Sequence, residues 1–204
     1  MAGRQRIAGP LVVDGHVLPL NQANQGWVDI IGQIVPFTVG AGRPTFTAWS
    51  APHGAFYGWS YGIGDALMWR GHIPHGVDAP TGAFMHVHTM VDGTSVQPIR
   101  FEFQWTYAKG YAVQSPRAGT TFSAPQIVTV TQTPSGTPKD HMIIETAVPI
   151  LANQLETDGL IAMVVRRVTN GGTDNPDPVF VEFSDPHIIQ RTFHSTNRNY
   201  PFEP

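Results

Sequence analysis

With 204 residues, only 13% of them charged, and a net charge of −3, the chain has no basic footprint for nucleic acid or an anionic membrane. It contains no cysteine, which excludes a disulfide framework, a thiolate metal site and a cysteine nucleophile. No run of about 18 apolar residues is present to span a bilayer as a helix, and residues 1–25 lack the apolar centre of a signal peptide.

Hydrophobic residues make up 41% of the chain, enough for one sizeable core. Gly (21) and Pro (18) are scattered without a period, so they read as turn markers rather than as a collagen-like or disordered composition. Charged residues normally supply about a quarter of a globular domain, and a surface this poor in them suits faces that meet other proteins. The absence of cysteine fits synthesis in a reducing cytosol.

In chain order, residues 1–9 (MAGRQRIAG) are short and polar and read as an N-terminal arm. PLVVDGHVLPL and GWVDIIGQI then supply short strand candidates, followed by PTFTAW and the aromatic AFYGWSY. Three stronger strands come next: ALMWRGH (66–72), AFMHVHTM (83–90) and IRFEFQWTY (99–107). The last alternates Phe101, Phe103, Trp105 and Tyr107 with Arg100, Glu102, Gln104 and Thr106, the pattern of a half-buried antiparallel strand. QIVTVTQ (126–132) has period 2 and is rich in β-branched residues, and HMIIETAVPI (141–150) follows it. LANQLETDG (151–159) is the one helix candidate, of one or two turns ended by Gly159. LIAMVVRRV (160–168) is almost continuously apolar and so predicts a central strand. VFVEFSDPHIIQRTF (179–193) completes the domain, and HSTNRNYPFEP (194–204) is a polar, aperiodic C-terminal arm. About ten short strands with almost no helix predict a single all-β domain over residues 10–193, a jelly-roll-like antiparallel β-sandwich.

The sharpest chemical signal is four histidines: His72, His75, His86 and His88. Two residues apart on a strand, His86 and His88 face the same way. Cupin-type jelly rolls present two metal ligands in this manner, with His72 or His75 as a third, and Asp92 or Glu102 as a carboxylate. The plainer reading is that these imidazoles hydrogen-bond within a partly buried layer and hold no metal, and the expectation is therefore of no metal or other cofactor. Other chemistry is thinner. No G-x-S-x-G elbow exists, and the Gly-rich segments lack the Lys, Ser or Thr of a phosphate loop. Asp174, Asn175 and Asp177 could ligate calcium but sit in what reads as a plain turn. Trp49, Tyr57 and Trp59 could stack on sugars, or serve as core and subunit contacts.

WRGHIPH (69–75), PTGAFMHVH (80–88) and FEFQWTYAKG (101–110) together resemble a group of virion structural proteins of tailed bacteriophages. GWVDI, PTFTAW, AFYGW, LIAMVVRRV and STNRNYPF extend the resemblance along most of the chain. Thr89 stands where that group often has Trp, and Gly76 where it usually has an acidic residue. The resemblance implies a non-enzymatic structural role, decorating or cementing the capsid or forming part of the neck, in virions made in the host cytoplasm. Expected partners are major capsid or neck and portal-region proteins and further copies of this chain, as a trimer, with no membrane and no direct nucleic-acid contact. Tyr200 and Phe202, stiffened by Pro201, are the expected assembly contacts of the C-terminal arm. The alternatives are a cupin-like metal enzyme built on His86 and His88, and a carbohydrate-binding module for host attachment.

Overall fold

The computed structural model describes residues 11–13, 16–18, 25–30, 32–37, 42–74, 82–110, 121–151, 154–155 and 158–191. They contain thirteen strands: β1 (Leu11–Val13), β2 (His16–Leu18), β3 (Gln25–Asp29), β4 (Gln33–Phe37), β5 (Thr45–Ala48), β6 (Tyr57–Tyr61), β7 (Ala66–His72), β8 (Ala83–Val91), β9 (Ile99–Ala108), β10 (Gln126–Gln132), β11 (Met142–Glu145), β12 (Leu160–Val168) and β13 (Val179–Arg191). No α-helix occurs among the described residues. Of the helix expected over 151–159, residues 152–153 and 156–157 lie outside the described residues; Gln154 N–H donates to Leu151 O at 2.9 Å, and Leu155 is buried in the core. His75 and both terminal arms, including Tyr200 and Phe202, lie outside the described residues.

The strands form two antiparallel sheets, and the fold is a β-sandwich. One sheet has five strands in the order β10-β9-β12-β7-β4. The other has six: β11-β8-β13-β6-β5, with β3 pairing the far half of β13; β1 and β2 form a separate two-stranded ladder. From β6 to β9 successive strands alternate between the two sheets, so neighbours in sequence seldom pair. β12 is central in its sheet, as its apolar run predicts, between β9 and β7.

Period-2 side-chain alternation decides what each strand buries. Phe101, Phe103, Trp105 and Tyr107 of β9 point inward, meeting Ile161, Met163 and Val165 of β12 and Leu67 and Trp69 of β7. Ala83, Met85, Val87 and Val91 of β8 and Val179, Val181 and Ile188 of β13 close the core from the other sheet. The strand expected over 141–150 stops at Glu145 because the chain turns out of the ladder there. Thr146 Oγ1 accepts from Met85 N–H at 3.1 Å and donates to Val148 O at 3.1 Å, and Pro149 has no N–H to offer.

The outer face of the six-stranded sheet is also covered in part. Residues 49–56 fold back over it, Trp49 stacking on Phe56 (5.6 Å between ring centroids) and meeting the edge of buried Phe180 (6.4 Å). Asp92 anchors this flap: its carboxylate accepts from the Ser50 N–H and hydroxyl, each at 2.7 Å, and pairs with Lys139 Nζ at 2.6 Å. Burial pushes the Asp92 carboxyl up, but the bonds from Lys139 and Ser50 outweigh it and hold it below its ordinary 3.8. A depressed carboxyl contributes stability above its unfolded value and loses it as pH falls through the lower folded value. Asp92→Asn should therefore cost about 1–3 kcal/mol at neutral pH, with the difference from the wild type shrinking below about pH 4. Urea unfolding at pH 7 and pH 3 measures both; an equal deficit at the two pH values would refute the assignment.

Candidate functional site

Beyond the flap, the outer face of the six-stranded sheet carries a cluster of imidazoles and carboxylates drawn from four elements. His86 and His88 occupy the outward positions of β8. Glu145 of β11 lies opposite His86 on one side, and Asp185 of β13 lies opposite it on the other. One row further along β13, His187 is opposite Asp29 of β3. His141, just before β11, completes the group.

Asp185 faces outward because of an irregularity in β13. Simple alternation from Val179 and Val181, both buried, would turn Asp185 and His187 into the core. A β-bulge at Glu182 inserts one unpaired residue: Val181 pairs Thr89, but Phe183 pairs His88. The phase reverses, Ser184 and Ile188 turn inward, and Asp185 and His187 join the outer row. The Ser184 hydroxyl donates to His86 O at 2.6 Å, which fixes the register beside the cluster.

The contacts are close. His86 Nε2 lies 3.0 Å from His88 Nε2 and 2.8 Å from Asp185 Oδ1, and 3.7 Å from Asp29 Oδ1. His88 Nδ1 is 2.8 Å from His141 Nε2, with the two rings stacked. Glu145 Oε2 is 3.0 Å from His187 Nδ1 and 3.9 Å from His86 Nδ1. His86, His88 and Asp185 are buried, at 2%, 7% and 3% exposure, whereas Asp29 and Glu145 are exposed at the rim. Phe183 stacks on His88 at 3.9 Å and shields it from solvent. Burial, followed by the neighbouring His86, pushes the His88 imidazole below its ordinary value, so it is neutral at pH 7.

Of the histidines singled out by sequence, His86 and His88 are brought together and His72 is not. His72 is exposed at the end of β7, in the five-stranded sheet, because β7 pairs β12 and β4 rather than β8. The two carboxylates considered for the same site are also elsewhere. Asp92 holds the flap, and Glu102 pairs with Arg166 at 3.0 Å in the five-stranded sheet. Their place is taken by Asp185, which sequence reasoning missed together with His141, His187, Asp29 and Glu145. One signal was present: Asp185-x-His187 has the same spacing as His86-x-His88. The calcium candidates are loop staples. Asp174 accepts from Thr169 Oγ1 and Asn170 N–H, Asp177 from Ser95 N–H, and buried Asn175 donates to the Ser95 and Gln97 carbonyls.

A second feature lies at the β5 edge of the same sheet. Phe46, Phe56 and Tyr57 are 57%, 58% and 56% exposed, and Phe46 contacts both Tyr57 (5.8 Å) and Trp59 (5.0 Å). Trp49, Tyr57 and Trp59, the aromatics considered for sugar stacking, thus divide: Tyr57 and Trp59 belong to this strip, and Trp49 packs on Phe56 and Phe180.

No family model and no curated protein matches the chain. Among solved structures it is similar to the family 11 carbohydrate-binding module of Clostridium thermocellum in complex with a β-1,3-1,4-mixed-linked tetrasaccharide. The identity is 13%, covering 84% of this chain and 92% of that one, with a TM-score of 0.29. A likeness at that score carries no argument about ligand or function. No helix among the described residues is long and apolar enough to cross a membrane.

Proposed function

We propose that this chain is a non-enzymatic structural protein of a tailed-phage virion, which decorates or cements the capsid or forms part of the neck. The HIPH, HVH and FEFQWTYAKG segments support this reading through their resemblance to that group of proteins. The observation that carries it is the strip of Phe46 and Tyr57, backed by Trp59, on the β5–β6 edge. Phe46 and Tyr57, each more than half exposed and 5.8 Å apart on a protein with few charges, form a surface suited to burial against protein. β5 pairs only β6 among the described residues, so its second edge offers main-chain donors and acceptors beside the strip. The occupant is another copy of this chain, in a homotrimer whose outer surface then meets the capsid or neck. Adhesion of this kind stabilises the assembled particle by mass action, with no chemistry required.

Sedimentation velocity of the full chain and of a Phe46→Ser/Tyr57→Ser variant tests the reading. The wild type is expected as a trimer at micromolar concentration and the variant as a monomer. Both should melt at similar temperatures once oligomer formation is allowed for, because neither side chain is part of the core. A monomeric wild type that also fails to bind purified phage heads would overturn the assignment. Aromatic-dependent binding to a glycan array by that monomer would favour a carbohydrate-binding module instead.

A further inference from the structure

We infer that His86 Nε2, His88 Nε2 and Asp185 Oδ1 hold a divalent transition-metal ion, of which Zn2+ fits best. This departs from the sequence-based expectation of a chain without metal, and it stands apart from the β5–β6 strip.

The three atoms cannot satisfy one another. His88 Nδ1 faces His141 Nε2 at 2.8 Å, and when His88 donates there its Nε2 is left as a bare lone pair. His86 Nε2 carries at most one proton, yet His88 Nε2 and Asp185 Oδ1 lie 3.0 and 2.8 Å from it. Given to His88, that proton leaves Asp185 Oδ1 bare; given to Asp185, it leaves His88 Nε2 bare. The carboxylate oxygen in fact has no aligned hydrogen bond, although it is buried. Three converging lone pairs, in side chains all more than nine-tenths buried, are an arrangement that a cation resolves and a proton does not.

The spacing fits as well. Metal–donor bonds of about 2.0–2.1 Å at tetrahedral angles place donors about 3.3 Å apart, a few tenths of an ångström wider than the 3.0 and 2.8 Å that separate His88 Nε2 and Asp185 Oδ1 from His86 Nε2. Rotamer adjustment of His88 under Phe183 covers that difference. Two imidazoles and one carboxylate select zinc-class ions over Ca2+ and Mg2+, which prefer all-oxygen shells. Asp29 Oδ1, 3.7 Å from His86 Nε2 and open to solvent, or a water beside it, supplies the fourth position. Supporting groups lie nearby. His141 orients His88, and Glu145 Oε2 lies 3.9 Å from His86 Nδ1, an atom otherwise without a partner, in the carboxylate–histidine–metal order. A metal here ties β8 to β13, and through Asp29 to β3.

The test uses the full chain, stripped with a chelator and titrated with Zn2+ and separately with Co2+. The expected result is one ion per chain, with the intense visible absorption of four-coordinate Co2+ and a higher melting temperature in Zn2+. His86→Ala and Asp185→Asn should each weaken binding by roughly 100-fold or more, and His72→Ala, on the other sheet, should leave it unchanged. Should either cluster variant fail to fold, the stoichiometry and Co2+ spectrum of the wild type decide. No stoichiometric binding by the wild type, wild-type affinity in folded Asp185→Asn, or loss of binding in His72→Ala would each overturn the inference.

Discussion

Trp69→Ala should lower the free energy of unfolding by about 3–5 kcal/mol, the range for deleting a large buried aromatic. Trp69 is 2% exposed and sits between Ile34 of β4 and Met163 of β12, facing the other sheet. Its indole lies in a notch made by two glycines. A Cβ on Gly71 would come within 2.5 Å of the ring, and one on Gly32 would overlap both the ring and the Arg70 carbonyl. The site is filled by one side chain whose volume the neighbours cannot replace, so the hole left by alanine should collapse poorly. The same geometry predicts the reverse insult. Gly71→Ala should cost about 1–3 kcal/mol by forcing the indole off its rotamer. With Trp69 already alanine, the added methyl enters empty space and its penalty should disappear, giving strong non-additivity. Urea unfolding of both single variants and the double variant checks this. A Trp69→Ala loss below about 1 kcal/mol, or strictly additive costs, would show that the notch is not packed as described.

Arg167→Met should cost about 2–4 kcal/mol, through lost hydrogen bonds rather than lost volume. Arg167 is the last inward position of β12 and is 6% exposed at the rim of the core. Its two terminal nitrogens donate to Tyr61 O and Asn175 O, each at 2.7 Å, joining the end of β6 to the loop before β13. Burial lowers the guanidinium from its usual value, with Asp174 and Asp65 opposing that, and an arginine stays charged throughout the accessible pH range. Methionine keeps most of the stem's packing but abandons two carbonyls, each worth about 1–3 kcal/mol when left unpaired. Arg167→Lys should recover only part of the loss, because a single ammonium cannot reproduce the forked reach of a guanidinium. Thermal and urea unfolding of the two variants measure it; equal stability of Arg167→Met and the wild type would mean that water replaces the side chain without penalty.

The neighbouring Arg166 shows how far the sequence could be read. Alternation places one arginine of the pair outward and one inward. Arg166 faces out to Glu102 at 3.0 Å, and that much follows from period 2 alone. Nothing local says that an inward arginine will find two carbonyls, since one lies 106 positions away in sequence and the other 8. The same division holds elsewhere. The extents of β7, β10 and β12 follow from apolar runs and flanking turn residues, as does the buried face of β9. Strand partners do not, because a period gives the face of a strand and not its neighbour. Hence His72 was placed next to His86 and His88 when it belongs to the other sheet. Asp185 was hidden by a different cause: one extra residue at Glu182 reverses the phase, and a bulge leaves no mark in composition.

The order of the strands bears on how the protein can be made. β12 is central to the five-stranded sheet, and β13 alone joins β8 to β6 and β3 in the other. They are the last two described strands in the chain. Until both have emerged from the ribosome, β7 and β9 have no shared partner, and the halves of the second sheet stay apart with open edges and apolar faces. Folding is therefore a late event, dominated by pairings between distant segments, and of the slow kind that leaves strand edges unprotected in the interim. Nascent or prematurely terminated chains are the form of this protein most exposed to aggregation and to proteases, and a chaperone would act on them before release rather than on the finished sandwich.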